Sequence, residues 1–340
     1  MLEWAAMKRP RSVTIAVLGD GGWGTTLAIH LYRLGHHVQW WGAFPEYVKF
    51  LSRRRENVKF LPGIRIPRGL FLTSDLFTAV EQAHVVILAI PAQYLRSVVH
   101  QLHGPRSKGK VFLSVAKGLE TGLLKRMSQV VAEELGRVPF AVLSGPNIAS
   151  EIAKGHPASS VVASKTPRLA KDIQRLVMTD RLRIYTSMDV TGLELGGALK
   201  NPIAIATGVS DGLGFGANAK AALVTRGIVE IAKLGVAMGA KQDTFWGLSG
   251  LGDLVTTCLS GRNRWLGEQL GRGRSLPAVL ASTPMVIEGV ETTKAALALG
   301  QRLGVELPII AQVHAILFRH QPPRTALQRL MLRVGKAESS

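Results

Sequence analysis

One segment constrains this chain more than any other: VTIAVLGDGGWGTTLAIHLYRLGHHVQWWG, residues 13–42. An apolar run from Val13 to Leu18 leads into Gly19-Asp20-Gly21-Gly22-Trp23-Gly24. A helix-like stretch follows, and a second apolar run, His37–Trp41, closes the unit. The spacing is GxGxxG between a strand and a helix, with a second strand behind it. That context separates a dinucleotide-binding turn from a chance run of glycines. Gly19 permits the tight turn, Gly21 lets the backbone approach a pyrophosphate, and Gly24 lets helix and strand pack closely. The helix start offers unpaired N–H groups and a positive dipole end to phosphates. Gly22 and Trp23 lie in the same turn and join the candidate cofactor contacts.

The rest of the first half keeps this rhythm. Further apolar runs lie at Val85–Ile90, Val111–Val115, Phe140–Leu143 and Ser160–Ala163. They are rich in Val, Ile and Leu and show little polar alternation, as strands buried on both faces do, so a parallel sheet covered by helices is expected. The fold class is α/β, with an N-terminal Rossmann-type doubly wound sheet. From about Asp189 the rhythm changes. Apolar residues three and four apart predict helices over Thr191–Ser210, Ala217–Gly239, Asn263–Leu270, Gly289–Leu303 and Leu307–Phe318. The expected division is a dinucleotide-binding domain over 12–187 and an all-helical substrate domain over 188–334. The residues before Val13 and those from Ala337 to Ser340 read as loose tails.

Composition narrows the function classes. In 340 residues there is one cysteine, Cys258, so no intrachain disulfide forms. The nine histidines show no paired ligand spacing, and no metal is expected. No uncharged apolar segment reaches the length of a membrane span, and stable membrane insertion is not expected. The formal net charge is +19, a field that attracts anions. Its arginines are spread along the chain, without the basic stripe and stacking aromatics of a nucleic-acid module. Nucleic acid is not expected; small phosphorylated ligands stay open as partners, and a generally basic, solvated surface is the plainer reading of the charge.

NAD sites usually place an acid at the end of the second strand, on the ribose hydroxyls. Here the residues are Gln39-Trp40-Trp41-Gly42-Ala43, with no acid. This implies use of either NADP or NAD, with NADPH moderately favoured; Arg53–Arg55 read either as cations for its 2′-phosphate or as a solvated helix face.

Several blocks in order carry a resemblance over nearly the whole chain: GDGGWGTTLA, SVAKGLE, LSGPNIASEI, GALKNPIAIATG, GLGDL, GRNRWLG and VIEGVETT. In them the chain resembles the NAD(P)-dependent glycerol-3-phosphate dehydrogenase family. The Asn147-Ile148 pair and the stretch LPIIAQVHAILF are similar to the bacterial, cyanobacteria-like branch. The resemblance implies hydride transfer between NAD(P)H and dihydroxyacetone phosphate. The product would be sn-glycerol 3-phosphate for glycerophospholipid synthesis, made by a cytoplasmic homodimer.

It implies roles as well. Lys200 would be the general acid/base and Asp253 the carboxylate beside it. A lysine flanked by Ala, Leu, Ile and Pro is unusual on a solvated face, and burial would lower its pKa toward neutrality. Arg262 and Asn263, after Gly261, would anchor the substrate phosphate, with Gly145, Asn147, Asn201 and Thr257 as further substrate contacts. Lys117 would touch both substrate and cofactor. Ala43, Ala149, Val286 and Glu288 would touch the cofactor, as would Arg262. The family often has Ser at the positions of Gly22 and Gly261, and Arg or His near Ala43; the last departure bears on NADPH preference. Two other readings remain open. Another hydroxyacid dehydrogenase with the same two-part fold would not require the phosphate site of the GLGDL and GRN blocks. An inactive basic binding protein would not keep Lys200, Asp253 and Arg262.

Overall fold

A computed structural model describes residues 12–335 and Ala337; both sequence-predicted tails lie largely or wholly outside them. The glycine segment folds as strand β1 (Thr14–Leu18), helix α1 (Gly22–Arg33) and strand β2 (His37–Trp41), with β1 and β2 parallel and in register from Thr14 opposite His37. β1 shows how one strand serves two layers. Ile15 and Val17 enter a core with α1, Trp40 and Val38, while Ala16 and Leu18 enter a second core on the other face.

Helix α2 (Pro45–Arg54), the hairpin β3 (Glu56–Asn57) and β4 (Leu61–Arg65), strand β5 (Phe71–Thr73) and helix α3 (Leu76–Val80) follow. β6 (Val85–Leu88), α4 (Ala92–His100), β7 (Val111–Ser114), α5 (Met127–Leu135) and β8 (Phe140–Ser144) continue the alternation. Next come α6 (Ala149–Ala153), β9 (Ala158–Ala163), α7 (Pro167–Val177) and β10 (Leu182–Ser187). The large sheet runs β10-β9-β8-β7-β6-β1-β2-β5. The strand order reverses between β1 and β6, so the carboxyl ends of those strands open the crevice in which doubly wound folds bind ligands.

The sheet departs from the all-parallel expectation at one place. β9 pairs antiparallel to β8, and β10 is parallel to β9. A parallel return needs a crossover that spans the sheet. Between β8 and β9 the chain has only the five-residue α6, so it turns back instead. Burial on both faces, which the sequence showed, carries no information on direction.

Beyond β10 the chain is helical: α8 (Val190–Gly212), α9 (Ala217–Ala237), α10 (Asp253–Leu259), α11 (Arg262–Gly271), α12 (Leu276–Ala281), α13 (Glu288–Leu303), α14 (Pro308–Phe318) and α15 (Pro323–Met331). Asp189 caps α8 by accepting from the Gly192 N–H at 2.8 Å, and it also accepts from Lys241 N–H and Thr244 Oγ1. α8 is buried nearly throughout and packs on both halves of the molecule. Its Glu194 accepts from Ser128 N–H and Oγ at the start of α5 and pairs with Arg126.

α8 and α11 touch through glycines. A Cβ at Gly208 would lie 1.9 Å from Arg264 O, and one at Gly267 would lie 2.0 Å from Ile205 O. Backbone cannot move aside as a side-chain tip can, so Gly208→Ala is expected to cost about 3 kcal/mol, the upper end of ordinary overpacking. At about 2–4 °C per kcal/mol, a calorimetric melt should fall by several degrees. An unchanged melting temperature would show that the helices are not in this contact.

Candidate active site

The glycine turn is built for close backbone approach. Gly19 has φ +124°, and a Cβ there would lie 2.3 Å from Ala89 O at the end of β6. Its carbonyl accepts the Trp40 indole N–H at 3.0 Å, which makes Trp40 part of the turn's support. α1 begins behind Gly21 with no side-chain cap, so its first N–H groups face the crevice with no competing side-chain acceptor. Gly22 faces Ala149: a Cβ at Gly22 would come 3.7 Å from the Ala149 Cβ, and Thr26 Oγ1 donates to Ala149 O at 3.1 Å. Trp23 is half-buried beside the turn, and Ala43 is exposed just past β2. The tip of the β3–β4 hairpin covers the turn. Asn57 Nδ2 donates to Asp20 O at 2.8 Å and to Thr25 Oγ1 at 2.7 Å, and a Cβ at Gly22 would lie 2.6 Å from Phe60 O. Sequence reasoning missed this hairpin. Its signal was the compact Asn57-Val58-Lys59-Phe60-Leu61-Pro62-Gly63 stretch after α2.

Deeper in the crevice, α8, α10 and the loop after β7 bring three charged groups together. Lys200 is buried, and its Nζ lies 2.8 Å from Asp253 Oδ1; it also donates to Thr257 Oγ1. Lys117 Nζ lies 2.7 Å from the other oxygen of the same carboxylate, and donates to Gly145 O at 2.7 Å. One carboxylate is thus bracketed by two ammonium groups. A π-turn at Leu248–Gly252 leads into α10 and delivers Asp253 at its first residue, a geometry frequent at functional sites. Burial pushes the Lys200 ammonium down to about 8; attraction to Asp253 opposes that shift, and repulsion by Lys117 adds to it.

The remaining candidates divide. Asn201 Nδ2 donates to Lys117 O at 3.1 Å, and Asn263 Nδ2 donates to Asn201 Oδ1 at 2.9 Å. Asn263 in turn accepts from Gly289 N–H, next to Glu288. Glu288 accepts from Ala92 N–H at 3.1 Å, and burial pushes its carboxyl up to about 7. A chain of polar contacts thus runs from Lys117 to the start of α13. Gly145 has φ +149° and supplies the carbonyl that holds Lys117. Asn147 donates to Ser160 on β9, so its amide N–H is committed to the sheet. Arg262 is exposed at the start of α11 and donates to Val286 O at 2.8 Å. Gly261, with φ +110°, turns the chain into that helix. Arg262 is therefore drawn toward Val286 and Glu288 rather than bonded into the lysine–aspartate cluster.

Arg53–Arg55 lie on the side of the hairpin away from the glycine turn. Arg55 donates to Pro67 O and Leu70 O, ahead of β5. Arg53 and Arg54 line a cavity of about 350 Å³ with Arg65 and Arg68. That cavity lies at the open end of the β3–β4 hairpin, whereas the tip covers the glycine turn.

Two family models match the chain in series. NAD-dependent glycerol-3-phosphate dehydrogenase N-terminus matches residues 14–170, and NAD-dependent glycerol-3-phosphate dehydrogenase C-terminus matches residues 189–328. The chain belongs to this family. Among relatives, glycerol-3-phosphate dehydrogenase [NAD(P)+] of Prosthecochloris aestuarii is 46% identical over 329 residues, covering 95% of this chain and 99% of the relative. The protein of the same name from Geobacillus kaustophilus is also 46% identical over 329 residues, covering 95% of this chain and 96% of the relative. The crystal structure of glycerol-3-phosphate dehydrogenase from Coxiella burnetii superposes with a TM-score of 0.92 at 37% identity, covering 95% of this chain and all of that one. Among the described residues no helix is long and apolar enough to cross a membrane.

Proposed function

We propose that this glycerol-3-phosphate dehydrogenase reduces dihydroxyacetone phosphate to sn-glycerol 3-phosphate at the Lys200–Asp253–Lys117 cluster. The observation that carries this reading is a buried lysine held on a carboxylate at the floor of a dinucleotide crevice. The enzyme is an oxidoreductase that uses NAD or NADP. The crevice suits that group: a Cβ at Gly19, Gly22 or Gly24 would strike backbone, Gly21 opens onto free space, and the start of α1 presents free N–H groups. Gly19–Gly24 would hold the pyrophosphate, with Ala149, Val286, Glu288 and Arg262 along the rim. The bound nicotinamide supplies or accepts the hydride.

Everything else falls to side chains of this chain. Lys200 gives a proton to the carbonyl oxygen as negative charge develops on it. Asp253 fixes the ammonium, and Thr257 sets its direction. Lys117 adds a second positive charge beside the same carboxylate and faces the crevice. Arg262, with the free N–H groups at the start of α11, takes the phosphate. The substrate would sit between a dinucleotide domain of 12–187 and a helical domain of 188–334. A homodimer in the cytoplasm that feeds glycerophospholipid synthesis completes the proposal.

The test is to follow NADH and NADPH oxidation with dihydroxyacetone phosphate across pH, and the reverse reaction likewise. The Lys200 value near 8 fixes the sign. Reduction needs the ammonium, so its kcat/KM should be level at low pH and fall as pH rises through about 8. Oxidation needs the neutral amine, so its kcat/KM should rise through the same value and level above it. Profiles without these opposed limbs would remove Lys200 as the proton carrier.

A further inference from the structure

We propose that Asp20 stands in for the acid missing from the end of β2 and sets the cofactor preference, so that this enzyme favours NADH over NADPH. The inference rests on the reading of the glycine turn as the NAD(P) site.

Gly42 follows β2 directly, about 20 residues beyond the start of the glycine motif, where an NAD site carries its ribose-binding acid. The chain has no side chain there, yet the space is filled. A Cβ built on Gly42 would lie 2.7 Å from Asp20 Oδ2 and 3.2 Å from Asp20 Cγ. The Asp20 carboxyl, coming from the second position of the turn, lies against the point where the first side-chain atom of a residue at 42 would stand, with Val48 Cγ2 2.8 Å from that point.

Its backbone is fixed from both sides. Gly19 N–H donates to Trp41 O at 2.9 Å, and Asp20 O accepts from Asn57 Nδ2. These bonds hold the backbone from which the carboxyl projects. Oδ2 is buried and has no hydrogen-bond partner among the described residues. The Tyr47 hydroxyl donates to Asn57 Oδ1 at 2.7 Å. Burial raises the Asp20 pKa from its ordinary value, and attraction to Lys59 pulls it back in part. The Lys59 ammonium lies over the Phe60 ring, 4.9 Å from its centre, on an exposed side chain where solvent screens it.

Oδ2 is closed off against Gly42, and the carboxylate as a whole favours a ligand that brings donors over one that brings negative charge. The 2′- and 3′-hydroxyls of an NAD ribose are such donors. A 2′-phosphate brings instead acceptor oxygens and negative charge, which the carboxylate repels. Arg53–Arg55 lie at the far end of the hairpin, and the cation in electrostatic reach of Asp20 is Lys59 at its tip, on an exposed side chain. This arrangement reverses the order of preference that Gln39–Ala43 implied when read alone.

The test compares wild type, Asp20→Asn and Asp20→Ala. Binding of NADH and of NADPH is titrated by calorimetry without substrate, and kcat/KM is measured with each cofactor and dihydroxyacetone phosphate. Wild type should bind and use NADH better. Both substitutions should weaken NADH about tenfold, as loss of hydrogen bonds to a charged acceptor does, and shift the NADPH-to-NADH ratio by tenfold or more. Asp20→Asn keeps the shape and guards against a folding defect. A wild-type preference for NADPH, or an unchanged ratio in the folded variants, overturns the proposal. A shifted binding ratio in an enzyme that does not turn over dihydroxyacetone phosphate would leave Asp20 in its role and remove the substrate reading alone.

Discussion

Lys200→Met is expected to lower kcat for dihydroxyacetone phosphate by about 10² to 10⁴, the range for loss of a positioned acid. Methionine keeps most of the apolar stem, and the site is buried, so the fold should survive. What is lost is the ammonium that donates to Asp253 at 2.8 Å. Lys117 remains on the other oxygen of that carboxylate, so the charge of Asp253 stays paired. That is why the expected defect is catalytic and not structural. Cofactor affinity should change little, because the glycine turn lies on separate elements. Asp253→Asn is expected to fall in the same range for a different reason: it leaves two ammonium groups facing each other with no carboxylate between them. The double variant should lose less than the sum of the two, since the groups act as a unit. Near-normal turnover by a folded Lys200→Met that still binds cofactor would transfer the proton role to Lys117.

The sequence carried Lys200 and Asp253 and hid the contact of Asp253 with Lys117. Lys200 announced itself because a lysine among Ala, Leu, Ile and Pro must be buried, and a buried charge needs a partner. Asp253 followed from the family blocks. The Lys117–Asp253 pair joins the loop after β7 to α10, and no periodicity reports a contact between segments so far apart in sequence. The same limit applies to direction and to absence. β9 had the right composition for a strand but no mark of its antiparallel course, which the short α6 imposed. At Gly42 the missing acid was read as an empty place, because only the folded turn shows that Asp20 reaches it. Arg53–Arg55 looked available for a phosphate in the linear sequence, whereas the turn out of α2 spends Arg55 on the carbonyls before β5. The six apolar runs and the five long helices were legible throughout, since burial on two faces and 3.6-residue periodicity are properties of one element alone.

Arg262→Ala is expected to reduce kcat/KM for dihydroxyacetone phosphate by about 30-fold or more, from the loss of about 2 kcal/mol or more in charge-assisted contact. In the structure the guanidinium spends one donor on Val286 O and keeps the rest of its five N–H groups for a ligand. It stands at the first residue of α11, whose N-cap Gly261 has no side chain to compete for the free N–H groups there. A phosphate at that point would meet a cation and a helix N-terminus together. The exposed position places the expected cost at the low end for truncated charge pairs, and closure around the substrate would raise it. Because Arg262 also reaches toward Val286 and Glu288, the measurement must be made at saturating cofactor, which isolates the substrate role. The deciding comparison is with unphosphorylated dihydroxyacetone, whose rate should be nearly untouched by the substitution because it brings no charge for the guanidinium to meet. Equal losses with both substrates would mean that Arg262 shapes the rim of the cofactor crevice and that the phosphate is held elsewhere, with Lys117 as the next cation in line.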